Sequence, residues 1–133
     1  MIAASSKVTT DPNKVLKAVD RAAFKNLGHA AARISKDAKA SLERAEGPSE
    51  PGTPPHTHRG AYLRRAIRFA HDRKAQEAVI GPMESIVGTA GSAHEHGGTY
   101  KGQRFPERKF MLPAMEQNLD RFAGDWAGSV GAT

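Results

Sequence analysis

Ser92 to Met115 read SAHEHGGTYKGQRFPERKFMLPAM, and this stretch decides how the chain is organised. Ala93 to His96 is expected to form one helical turn, broken by Gly97-Gly98. Phe110-Met111-Leu112 is a short apolar run and reads as a last strand. Pro113 is then expected to open a helix, with Met115, Leu119, Phe122 and Trp126 on one stripe.

Upstream, Ile67-Arg68-Phe69-Ala70-His71 alternates and predicts a strand with Ile67 and Phe69 toward the core. Asp72-Arg73-Lys74 is a polar turn. Ala75 to Ile80 is a second strand, stopped by Gly81-Pro82. Ser85 to Thr89 reads as a third short strand, and Tyr62 to Arg65 as one helical turn. Residues 45–60, AEGPSEPGTPPHTHRG, carry four prolines and three glycines and predict an irregular loop.

Asp11-Pro12 is a helix start, an acid at the cap and proline in the first turn. Leu16, Ala23, Leu27, Ala30, Ile34, Ala38 and Leu42 then recur at three- and four-residue steps, with lysines and arginines on the other side. This predicts one amphipathic helix of about 30 residues, ~45 Å long at ~1.5 Å per residue. Such a rod overhangs a domain whose radius of gyration is ~14 Å. It either folds back on the sheet along its length or packs partly on another copy, and Gly28 is a candidate bend. The residues as a whole predict an α+β fold in one domain over residues 11–127, with a flexible arm at 1–10 and a flexible tail at 128–133.

At 133 residues without cysteine, the chain has room for one modest core and no disulfide framework, thiolate metal site or Cys nucleophile. The first ten residues lack a signal-peptide apolar stretch, and no apolar run has membrane-spanning length. A protein without membrane association, made and folded in the cytoplasm, is expected. The net charge of +6 is uneven: residues 1–44 carry +5 (nine basic, four acidic) and residues 113–133 carry −2 (one basic, three acidic). Such asymmetry suits phosphate backbone, or copies of one chain stacked basic end to acidic end.

No catalytic motif emerges. Two His-x-His pairs, His56/His58 and His94/His96, suggest zinc ligands, but His94 and His96 diverge if they sit on a helix. No metal, cofactor or catalytic residue is expected. Phosphate-binding glycine loops are missing, and Ser85 and Ser92 have no convincing His/Asp partners. Arg59, Arg64, Arg65 and Arg68 cluster around the Pro-rich loop, and Lys101, Arg104, Arg108 and Lys109 in the second loop. Few aromatics are interleaved, so a sequence-reading DNA binder is disfavoured.

One order of segments adds to this. A long N-terminal helix is followed by a Pro-rich loop ending in Arg59-Gly60 and by Leu63-Arg64-Arg65-Ala66-Ile67. A hairpin ending in Ile80-Gly81-Pro82 comes next, then His94-Glu95-His96-Gly97-Gly98. Phe105-Pro106-Glu107-Arg108-Lys109-Phe110-Met111 and a helix opened by Pro113-Ala114 complete the order. Over about residues 12–122 this resembles the neck, or tail-completion and head–tail joining, proteins of tailed bacteriophages. His96 stands where that family has an aromatic, and Lys109 where it has proline.

The resemblance implies a long N-terminal helix packed on a small, mainly antiparallel sheet, with a C-terminal helix. It implies a homo-oligomeric ring in the virion, joining portal or adaptor to tail proteins, through which DNA passes. His94, Glu95, Gly97, Gly98, Phe105, Pro106, Arg108, Phe110, Met111 and Pro113 are then structural or interface residues. Phe105, Phe110 and Met111 are the anchors. Arg64, Arg65, Arg68, Lys101 and Arg104 are candidates for contact with DNA in the lumen, the alternative being solvated faces and inter-subunit ion pairs. The rival function is a basic, sequence-nonspecific nucleic-acid-binding protein acting alone.

Overall fold

The computed structural model describes residues 11–130; the expected N-terminal arm and the last three residues of the expected tail lie outside them. The fold is α+β: a long N-terminal helix, two small antiparallel ribbons and a C-terminal helix.

Helix α1 spans Pro12–Ser41. Asp11 caps it, its Oδ1 accepting from the Asn13 N–H at 3.0 Å. Arg64 closes the other end by donating to the Leu42 carbonyl, a cation at a helix C-terminus. Residues 42–61 form the irregular Pro-rich loop, stitched across its base by Thr57 N–H to Glu43 O at 2.8 Å.

Helix α2 (Tyr62–Ala66) leads into strand β1 (Ile67–Asp72), which pairs antiparallel with β2 (Glu77–Pro82), Ile67 opposite Pro82 and Phe69 opposite Ile80. The Asp72 carboxylate accepts from the Lys74 and Ala75 N–H groups and shapes the turn. Gly81 and Pro82 extend β2 rather than stop it. Among the described residues this sheet has only two strands and one edge of β2 faces no partner, so proline costs the ladder nothing there. Phe69 is corrected too: it is 43% exposed, whereas Ile67 is buried. α1 is the main cover of this narrow ribbon.

Residues 85–89 are not a strand. Helix α3 (Glu84–Val87) forms there, its Ile86 and Val87 N–H groups donating to the Met83 carbonyl, and Gly88 at φ 59° ends it. Helix α4 (Ala90–His96) follows and stops at Gly97. A second ribbon pairs β3 (Gly98–Tyr100) with β4 (Gln103–Phe105).

Helix α5 spans Met111–Asp125. It begins two residues before Pro113, so residues 110–112 are its cap and first turn and not a strand. α5 lies antiparallel on α1: Asn118 donates to Asp37 at 2.8 Å, Arg33 pairs with Asp125, and Asn26 donates to Ser129 at 3.2 Å. The core is small. Ile34 and Ala38 of α1 and the Leu42 that caps it meet Ile67, Phe110 and Ala114.

The expected α1 stripe faces the core except at its first residue, and the expected α5 stripe turns outward at Met115 and Leu119. Leu16 is 65% exposed, because the described residues that pack on α1 cover chiefly its later turns. Met115 and Leu119 are 42% and 52% exposed, because Ala114 and Asn118 face α1 instead. The polar seam with Asp37 and Arg33 sets that phase. Gly28 serves close approach: a Cβ there would sit 3.3 Å from the His71 ring.

Candidate functional site

The residues singled out between His94 and Pro113 converge on one knot, built on the buried carboxylate of Glu95. Its Oε2 accepts from the Phe110 and Met111 N–H groups at 2.9 Å each, and its Oε1 from the Leu112 N–H at 2.9 Å. A helix start leaves four N–H groups without intrahelical partners. Glu95 takes three, and Pro113, having no N–H, removes the fourth. Glu95 thus caps α5 from another helix, with its negative charge at the positive end of the dipole.

A second set of bonds ties the same region to the Pro-rich loop. Arg108 is buried and donates through Nε and Nη2 to the Ser49 carbonyl at 3.0 and 2.8 Å. Its own N–H donates to the His94 carbonyl at 2.6 Å, and Gly52 N–H to Glu107 O at 3.0 Å. Gly97, at φ 71°, lets the chain turn here; a Cβ would stand 3.3 Å from the Glu107 nitrogen.

Phe110 is fully buried in the core, and Met111 packs against it. Phe105 is half-buried and meets the His94 ring edge-on, centroids 5.7 Å apart. Gly98 and Pro106 are exposed and stand outside the knot. Burial holds the His94 pKa below its usual value, and the nearby Arg108 and His58 lower it further.

Two clefts flank the knot. One, of about 620 Å³, lies between the Pro-rich loop and the β3–β4 ribbon, with Tyr62, His94, Tyr100 and Phe105 in its walls. The other, of about 480 Å³, lies beside the start of α5 over Ile34, Ile80, Phe110 and Met115. His56, His58 and His94 line the first and His96 the second, so the two His-x-His pairs do not converge. Among the described residues no group of three or more His, Asp or Glu side chains is placed to hold a metal ion.

The basic candidates divide. Arg64 is spent on the end of α1. Arg65, Arg68 and Arg104 are exposed, and Lys101 lies over the Tyr100 ring at 5.4 Å. None of the buried polar contacts, Glu95 to α5 or Arg108 to Ser49, is legible as a pair in the sequence, because 15 to 59 residues separate the partners. The outward turn of Met115 and Leu119 was likewise missed. Its one local signal is Asn118, a polar residue that turned out to face α1.

No helix among the described residues is long and apolar enough to cross a membrane. No protein-family model, no curated protein and no solved structure matches the chain.

Proposed function

We propose that this chain is a structural subunit of a tailed-phage neck, one copy of a homo-oligomeric ring that joins portal or adaptor to tail and lets DNA through. The observation that carries the reading is the contrast between a core built mostly of alanines and the many large apolar side chains left exposed. Six buried side chains hold the centre. Leu16 on α1 and Leu119 on α5, on different helices, stand more than half exposed. A chain whose apolar surface is covered by neighbours has this shape. The resemblance of the segment order to that of neck proteins supports this kind of assembly.

Arg65, Arg68, Lys101 and Arg104 are exposed cations suited to weak, sequence-blind contact with DNA in the lumen. The test is the particle itself. Virions that encode the chain should contain it at the neck, as a ring visible in an averaged density map. Particles lacking it, or nanomolar and sequence-selective duplex binding by the isolated protein, would overturn the reading. The second outcome would favour the solitary nucleic-acid binder.

A further inference from the structure

The α1 face that carries α5 does not end where α5 ends. Val15, Val19, Asn26, Arg33 and Asp37 are spaced by four and seven residues and lie on one side of the helix. Asn26, Arg33 and Asp37 are engaged by Ser129, Asp125 and Asn118. Val15 and Val19 are exposed, and Leu16 beside them more so. The first turns of α1 therefore present an apolar ridge, flanked by exposed Lys14, Lys17 and Arg21.

The cleft over Ile34 and Phe110 is the candidate seat for that ridge. It is concave and apolar, it opens beside Met115 at the start of α5, and Glu84 stands in its wall. Exposed Glu116 follows the wall residue Met115 in the first turns of α5. Lys109, another wall residue, is matched by Glu107 at 3.0 Å. Lys14, Lys17 and Arg21 on the ridge take no part in the ion pairs among the described residues, and neither do Glu84 and Glu116. The two acids on the ridge segment are occupied: Asp11 caps α1, and Asp20 pairs with Arg73.

We infer that the Val15-Leu16-Val19 ridge of one copy docks in the Met115 cleft of the next copy, with Lys14 and Lys17 against Glu84 and Glu116. This rests on the ring reading above and names its contact. Leu16 and Ile34 are 18 residues apart on one continuous helix, ~27 Å along its path. Ridge and cleft thus sit at separate places on the molecule, and the contact is head-to-tail. Each copy offers one ridge and one cleft, so the chain of contacts closes only as a ring or runs on as a filament.

The test uses two reversed chains, K14E/K17E and E84K/E116K, with mass read by light scattering at low ionic strength. The wild-type chain is expected to be oligomeric. Each reversed chain alone should fall to the mass of one chain, since its like-charged ridge and cleft repel. An equimolar mixture should assemble again, with the two chains alternating, because each ridge then meets the opposite charge. Leu16→Gln, at an exposed position, should lose assembly without a change in melting temperature, which separates loss of contact from loss of fold. Three results overturn the contact: a wild-type chain that stays monomeric up to its solubility limit, a reversed chain of wild-type mass, or a mixture that stays apart. Absence of the chain from particle necks would instead refute the ring itself, whatever the mixture does.

Discussion

Single residues carry more here than the size of the core suggests. Glu95 holds three backbone N–H groups that have no other partner in the knot. Glu95→Ala should lower the unfolding free energy by about 2–4 kcal/mol, as buried donors go unsatisfied, and Glu95→Gln should lower it less, because one acceptor oxygen remains; denaturant melts check both. Gly91 in α4 touches the Pro82 ring so closely that a Cβ would lie 2.8 Å from the proline Cβ. Gly91→Ala should cost about 1–3 kcal/mol by overpacking. Gly28→Ala should stay within about 1 kcal/mol of wild type, because the gain in helix propensity offsets a modest push on the His71 ring. His94 brings a pH dependence. Its folded pKa lies below its unfolded one, so the unfolded chain takes up the proton first as pH falls. Its contribution to stability is whole above the ordinary histidine pKa of about 6.5 and drains away as pH drops toward the lowered folded value. His94→Gln, which cannot be protonated, should flatten that part of the decline between about pH 7 and 5.

At the scale of elements, legibility followed locality. α1 was readable almost to the residue, from Asp11-Pro12 at its start to the recurrence of Ile34, Ala38 and Leu42 at its end. The β1–β2 hairpin was readable from the alternation around Ile67 and the polar turn after it. Ser85–Thr89 and Phe110–Leu112 were misread as strands, because three apolar or β-branched residues in each hold too little period to separate strand from helix. In the second case the deciding group is a carboxylate on another helix, and no local pattern contains it. The α5 stripe failed for a related reason: a polar seam of Asn118 with Asp37 and Asp125 with Arg33 set its rotation. Phe110, read as an anchor of core or interface, sits wholly inside. Phe110→Ala should therefore remove about 3–5 kcal/mol, seen as a shift in urea midpoint, with the β1–β2 and α1 signals lost together.

For the whole molecule, stability and assembly should separate by mutation. Leu119 is half out of the fold, so Leu119→Asp should melt within about 0.5 kcal/mol of wild type. It should nonetheless lower the oligomer mass at a fixed concentration, and a variant that unfolds instead would place Leu119 in the core. The knot has one more consequence. Glu95 and the His94 carbonyl grip the chain again at residues 108–112, so the excursion between them is tied off at its root. Its tip, Lys101-Gly102, turns with both residues at positive φ and is solvent-facing. A peptide spliced in there would add loop entropy without loosening the helices below, which makes this tip the natural place to graft a label and see where each copy points in an assembled particle.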